Sequence, residues 1–311
     1  MDGSAVADVK SIVAPLNFLV PMAEKPVAYN YEPPPGIPVR TGQRISHHVR
    51  ICDARPMIDR LSLDQEGFVL LHHQTAVTNF YDEEQIKSVY YPECERVMQE
   101  ATGAERVVAF DHIVRNAAKA AIKGSGIKMP AKGVHNDYTA WSSPKRVHDL
   151  MGDEALALLK NRFAIINLWR PIRGPLLESP LALCDAQSLE EENLIASDLK
   201  YPDRTGETYS ITYNPNQRYY YFPRMQADEA VLIRCFDSAL DGPRRFSAHT
   251  GFDDPETPAD APPRESIEVR TLVFFPSGAC RPCPPPPRRR GRPHMGSRFR
   301  GNDGIAVSRL G

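Results

Sequence analysis

Long apolar runs are missing from these 311 residues, and so is any strong charge of one sign. No apolar stretch approaches the roughly 20 residues that span a bilayer, and the N-terminus lacks the basic-then-apolar layout of a secretory signal. Formal net charge is −1, so no bulk electrostatic pull toward nucleic acid or membrane operates. Six cysteines (Cys52, Cys94, Cys184, Cys235, Cys280 and Cys283) do not make a disulfide framework in a chain of this size. The first four stand singly beside apolar or strand-like sequence, where small buried thiols are the expected state. Internal repeats are absent, and no glycine-rich loop follows a strand as a methyl-donor site would require. A cytoplasmic protein without nucleic-acid or membrane partners is the expectation.

What is abundant is proline, at 29 residues. Clusters such as Pro33-Pro34-Pro35 suit a strand-and-loop protein better than a helical bundle. Residues 1–45 read as an extended arm carrying short strands. Strand-like runs follow at 49–53, 67–72 and 107–110, with a helix over 82–103 between the last two. A strand is expected over 133–139 and a helix over 143–159, opened by Ser143-Pro144. The apolar run Phe163-Ala164-Ile165-Ile166-Asn167-Leu168-Trp169-Arg170, ended by Pro171, is the strongest strand signal. Further strands are read at 180–185, 218–222, 230–237 and 266–275. Many strands with few helices predict a mainly β fold with flanking helices, a sandwich or distorted barrel.

From residue 277 the composition changes. The run Cys280-Arg281-Pro282-Cys283-Pro284-Pro285-Pro286-Pro287-Arg288-Arg289-Arg290 cannot bury a core, so residues 277–311 are expected to be a disordered Pro/Arg-rich tail behind a single domain over 1–276. Cys280-x-x-Cys283 has no second pair at zinc spacing and no folded context, and reads as adventitious.

The residues with the most chemistry are His135-Asn136-Asp137 and, far downstream, His249 in Ala248-His249-Thr250-Gly251-Phe252. A spacing of two on a strand turns His135 and Asp137 to one face. With a distant histidine they form the ligand set of a 2-His-1-carboxylate site for Fe(II), which leaves positions open for co-substrates. The competing histidines fit less well. His47-His48 and His72-His73 alternate faces, and His148-Asp149 are neighbours on a helix pointing apart.

This order resembles that of iron oxygenases that use 2-oxoglutarate, in which a basic residue soon after the second histidine anchors the co-substrate's distal carboxylate. Arginine suits that task because its planar fork matches a carboxylate. Arg264, Ser266, Glu268 and Arg270 share one face of the last strand. Arg264-Glu265-Ser266 has the Arg-x-Ser form, which favours Arg264, with Arg270 as its rival. The bland alternative is that Glu268 and Arg270 neutralise each other.

More specifically, His135 to Thr139, Asn167 to Ile172, Leu181 to Asp185, Tyr220 to Met225, Arg234 to Ser238, Ala248 to Phe252 and Pro263 to Phe275 resemble, in this order, segments of one family. It is the fungal and bacterial hydroxylase/desaturase family that includes gibberellin desaturase and the cephamycin 7-alpha-hydroxylase component. The likeness covers about residues 10–276. It implies a double-stranded β-helix (jelly roll) with His135, Asp137 and His249 as catalytic iron ligands. It further implies Fe(II), 2-oxoglutarate and O2 as cofactor and co-substrates, and a small-molecule substrate. Arg170, in a family segment, is expected either to reach the co-substrate or substrate or to pair with Asp185. Two other readings compete: a catalytically inactive jelly-roll binding protein, and a cupin-like metal-dependent hydrolase or isomerase.

Overall fold

A computed structural model describes residues 10–278 apart from Lys123, Gly242 and Pro243. The Pro/Arg-rich tail and its Cys280-x-x-Cys283 lie outside the described residues from 279 onward. The first strands are β1 (Ser11–Leu19), β2 (Val27–Tyr29), β3 (Arg44–Asp53) and β4 (Phe68–His72). Then come β5 (Arg106–Asn116), β6 (His135–Asn136), β7 (Phe163–Pro171) and β8 (Leu181–Cys184), followed by a hairpin of β9 (Leu194–Lys200) and β10 (Thr205–Ile211). Last are β11 (Tyr219–Tyr221), β12 (Glu229–Asp237), β13 (Ala248–Gly251) and β14 (Glu265–Phe274).

These strands form two sheets, in the orders β1-β3-β11-β8-β13-β6-β10-β9-β2 and β4-β12-β7-β14-β5. From β5 to β8 and from β11 to β14 the chain changes sheet at every step. Within each sheet, the neighbours drawn from these eight strands are antiparallel. Two antiparallel sheets wound in this way are a jelly roll, the fold the family resemblance implied. The N-terminal arm extends the larger sheet through β1 and β3, which pair over nine residues from Ser11↔Cys52 to Leu19↔Arg44.

All nine residues of β7 are buried because the strand has cover on both faces. Ala164, Ile166 and Leu168 pack outward with Tyr90, Cys94 and Val97 of the helical region before β5. Phe163 and Ile165 join Phe236, Leu272 and Phe274 in one apolar cluster, and Trp169 joins Phe68, Leu183 and Ile233 in another. Asn167 lies between these two clusters on the same face, which puts a polar site midway along the strand.

The helical region expected over 82–103 is realised with one irregularity. Asp82 caps it through Glu84 and Gln85, and Gly103, at φ 67°, ends the helix Tyr91–Thr102. A π-helical turn, Ile86–Tyr90, intervenes. Pro92 offers no N–H to the preceding turn, which accounts for the widened turn just ahead of it. The helix expected over 143–159 is broken: Ser142–Met151 and Ala155–Leu158 flank a 3-10 turn, Gly152–Glu154. Gly152 has φ +53°, outside helical space. The β9–β10 hairpin was not foreseen, although Pro202-Asp203 between two strand-like runs is a turn signal.

Leu168 is fully buried at the centre of β7. Leu168→Ala should destabilise the protein by about 2–5 kcal/mol, read as a shift of the urea unfolding midpoint.

Candidate metal centre

β6 is only two residues long, and it brings the two histidines together. His135 is directly opposite His249 of β13 and pairs on its other side with Ser210 of β10. Opposed residues of antiparallel strands share a face, and the two rings lie 4.6 Å apart between centroids. The strand expected over 133–139 is shorter than foreseen, so Asp137 projects from a bend just past its end. Asp137 nonetheless turns back to the same side, its Oδ1 3.6 Å from His135 Nε2. Asn136 explains the bend. Its buried amide donates to the carbonyls of Tyr138 at 2.6 Å and Cys235 at 2.8 Å, fastening the turn to β12. Ligating atoms of His135, Asp137 and His249 all lie within 4.8 Å of one another.

The protonation states suit a metal. His135 Nδ1 donates to the Gly133 carbonyl at 2.8 Å, which leaves the Nε2 lone pair facing the site. Burial, reinforced by His249, pushes the His135 pKa down to about 3, so the ring is neutral at cellular pH. Burial alone would raise the pKa of Asp137; the Arg270 guanidinium, with help from His135 and His249, outweighs it and holds the carboxyl well below the usual range. Asp137 Oδ2 accepts from Arg270 Nε and from Asn167 Nδ2, each at 2.9 Å. Asn167 also donates to Glu268 Oε1, and that oxygen is 3.7 Å from His249 Nε2. One amide therefore spaces two buried carboxylates. His249 Nδ1 is buried without a hydrogen-bond partner among the described residues.

The arginines separate by their partners. Arg270 is committed to Asp137 and, through Nη1 at 2.8 Å, to Asp111. Its contact ion pairs are with these two aspartates, while Glu268 attracts it only from beyond ion-pair distance. The Arg264 guanidinium has no carboxylate within 4.0 Å among the described residues, although the residue is only 2 % exposed; Glu178 accepts from its backbone N–H instead, at 2.6 Å. Its Nε donates to Ser266 Oγ at 3.0 Å and its Nη1 to the Ser179 carbonyl at 2.7 Å. Its guanidinium stands 5.2 Å from the Trp169 ring centroid. Burial lowers its pKa to about 9, which still leaves it cationic at neutral pH. Gly251 makes room for it, since a Cβ there would lie 3.0 Å from Arg264 Nη1.

Arg170 departs from the expectation. On β7 it alternates with Asn167 and Trp169, so it projects to the outer face. There it donates to the Ala227 carbonyl and stands 5.8 Å and 5.9 Å from the rings of Phe80 and Tyr90. It does not enter the site, and Asp185 pairs with Arg218 instead, at 2.6 Å. The other histidines also stay out: His47 stacks on Tyr213 at 3.9 Å, and Asp149 is held by Lys145 rather than facing His148.

A cleft of about 790 Å³ leads to His135, Asp137 and Arg270. Its walls include Tyr138, Trp141, alternate residues of β5 (Asp111, Ile113 and Arg115) and residues of the β9–β10 hairpin.

Known proteins are similar to this chain over most of its described span. The family description "oxidoreductase/YMDC permease-like domain" matches residues 16–274. The Fe(II)/2-oxoglutarate-dependent dioxygenase nvfI of Aspergillus novofumigatus is 32% identical over 254 residues, covering 79% of this chain and 90% of its own. The chain belongs to the hydroxylase/desaturase family of Fe(II)/2-oxoglutarate-dependent oxygenases. The hydroxylase/desaturase efuI of Hormonema carpetanum is 34% identical over 250 residues, 73% of this oxygenase and 83% of its own length. A solved structure of the iron and alpha-ketoglutarate-dependent endoperoxidase NvfI superposes with a TM-score of 0.78 at 29% identity, covering 86% of this oxygenase and 99% of the NvfI chain. As for the "permease" in the family description, no helix among the described residues is long and apolar enough to cross a membrane.

Sequence reasoning on this oxygenase underrated Asn167 and Glu268. Asn167 was visible only as a lone polar residue inside the apolar run of β7, and such a residue needs partners when buried. Arg270 has the clearest structural consequence. Arg270→Leu would leave the Asp137 carboxylate buried without its cation, at an expected cost of about 3–5 kcal/mol, measurable by chemical denaturation.

Proposed function

We propose that His135, Asp137 and His249 hold Fe(II), that Arg264 with Ser266 receives the distal carboxylate of 2-oxoglutarate, and that O2 is the oxidant. The reaction is hydroxylation or desaturation of a small, secondary-metabolite-like molecule. One observation carries the co-substrate assignment: Arg264 is a buried guanidinium with no carboxylate of its own, two residues from a serine hydroxyl on the strand facing the three donor atoms. Arg270 is the weaker candidate because its two aspartates already engage it. The donor set suits iron, with two imidazole nitrogens and one ionised carboxylate oxygen converging.

When bound, the metal and the keto acid supply the oxidising power that removes hydrogen from an unactivated C–H bond, with succinate and CO2 as by-products. The protein's own contribution is placement. Gly133 fixes the His135 tautomer, Asn167 and Arg270 orient Asp137, and the apolar clusters to either side of Asn167 restrict the reacting centre to one cleft. We place residues 1–276 in one catalytic domain, acting in the cytoplasm on a free small molecule without nucleic acid or membrane. The rivals, an inactive binding protein and a cupin-like hydrolase or isomerase, lose ground because the relatives matched over most of their length are dioxygenases and hydroxylase/desaturases.

His135→Ala and Asp137→Ala should each abolish substrate-dependent succinate formation; full turnover in both would refute the ligand set. Arg264→Gln should raise the KM for 2-oxoglutarate roughly tenfold to a hundredfold, the worth of a charge-assisted pair. Anaerobic addition of 2-oxoglutarate to the Fe(II)-loaded variant, followed by visible absorption, reads the same loss as binding. An unchanged affinity would move the anchor to Arg270.

A further inference from the structure

The cleft carries more positive charge than the proposed reaction uses. Nine lysines and arginines line it, against four acids, in a chain whose formal net charge is −1. Three of the nine are already satisfied: Lys132 by Asp253, Lys145 by Asp149, and Arg270 by its two aspartates. The remaining six, Arg40, Arg44, Arg115, Lys128, Arg146 and Arg204, have no acid within 4.0 Å among the described residues. Arg146 and Arg204 rest on rings instead, 5.0 Å from the centroid of Phe110 and 3.9 Å from that of Tyr201.

Two of the six stand beside the proposed iron ligands. The Arg44 guanidinium fills the space that a Cβ on Gly133 would occupy, two residues from His135. Arg115 projects from β5, whose register places it opposite Ser266. Its Nη1 donates to the Met129 carbonyl at 2.7 Å, and Glu268 and, more weakly, Asp137 attract it from beyond ion-pair distance. Desolvation lowers the pKa of both guanidiniums, and each has another arginine near enough to repel it, Arg40 for Arg44 and Arg270 for Arg115. The co-substrate does not answer this surplus. Its two negative charges are met by Arg264 and by the charge of the metal that Asp137 leaves over. A set of uncompensated cations in one partly desolvated cleft is a binding site for an anion.

We propose that the substrate of this oxygenase is an organic acid, and that Arg44 and Arg115 grip its carboxylate and so place the rest of the molecule over the iron. The inference rests on the iron and co-substrate reading above and goes beyond it by naming the substrate's charged group. Planar guanidiniums match a carboxylate in two-pronged fashion, and the apolar walls offered by Ile113, Trp141 and Leu199 suit a hydrophobic skeleton.

The test uses the full chain loaded with Mn(II) in place of Fe(II) and with saturating 2-oxoglutarate, whose binding is measured first. Pyrenebutyrate and its neutral counterpart pyrenebutanol are then titrated at low salt and followed by fluorescence. Pyrenebutyrate should bind at least tenfold more tightly, and the preference should shrink with added KCl. The preference should fall to near unity in Arg44→Gln/Arg115→Gln. Arg44→Gln alone, at an exposed position, should lower it part-way and serves if the double variant does not fold. Equal affinity of the two probes, no binding of either, or a preference untouched by the variants would overturn the proposal. Displacement of 2-oxoglutarate by pyrenebutyrate would also overturn it, since the arginines would then belong to the co-substrate. Failure of Mn(II) and 2-oxoglutarate to bind at the outset would instead count against the iron reading.

Discussion

A buried carboxylate governs the interior of this protein. Asp137 faces two adjacent strands of the smaller sheet, accepting from Asn167 on β7 and Arg270 on β14. Removing a carboxylate from water costs several kcal/mol unless charge and hydrogen bonds replace the solvent. Both replacements here come from strand positions whose outward neighbours pack against the helical region. The fit of β7 beside β14, in register from Ser266↔Pro171 to Phe274↔Phe163, therefore decides whether Asp137 can stay ionised at the foot of the cleft. The histidines depend on it in turn, since the bend that carries Asp137 follows directly from β6.

Alternation along β14 then distributes the work. Ile267 and Val269 face outward into the apolar cluster under the helices, while Ser266, Glu268 and Arg270 face the two histidines and Asp137. Arg264 continues that inner row beyond the strand's first residue and lies closest to Ser179 and Trp169. One inner row thus presents an acid-paired cation midway along the strand and, just ahead of its start, a guanidinium without an ion-pair partner among the described residues. That asymmetry separates the two arginines, which on their shared face alone are equivalent.

Much of this was legible in the sequence because β-strands write themselves in period two. The apolar run of β7 and the inward face of β14 follow from that period. The His-x-Asp spacing pointed to two side chains that do come together, yet Asp137 does so from a bend past β6 that Asn136 fastens, and His249 was picked out by its place in the order of the chain. Arg170 was misjudged although the same rule applied: counted from Asn167 it falls on the outer face, and a family segment does not say which face a residue takes. The β9–β10 hairpin was missed because its strands are half-buried and mixed in composition, so their pattern is weak. The part played by Asn167 could not be read at all. It depends on two carboxylates from distant stretches of chain meeting one amide, and only the folded register brings them together.

The cleft is built from two kinds of material. Its floor is the inner face of the central strands, where any change disturbs the charge balance around Asp137. Its brim comes from the β9–β10 hairpin, the segment over 128–133 and the inner face of β5, the last strand of its sheet, whose free side meets only the isolated bridge Arg115↔Lys128 among the described residues. Mutation can therefore reshape the brim while leaving the floor intact. A lineage founded on this scaffold can change what it oxidises without having to reinvent how.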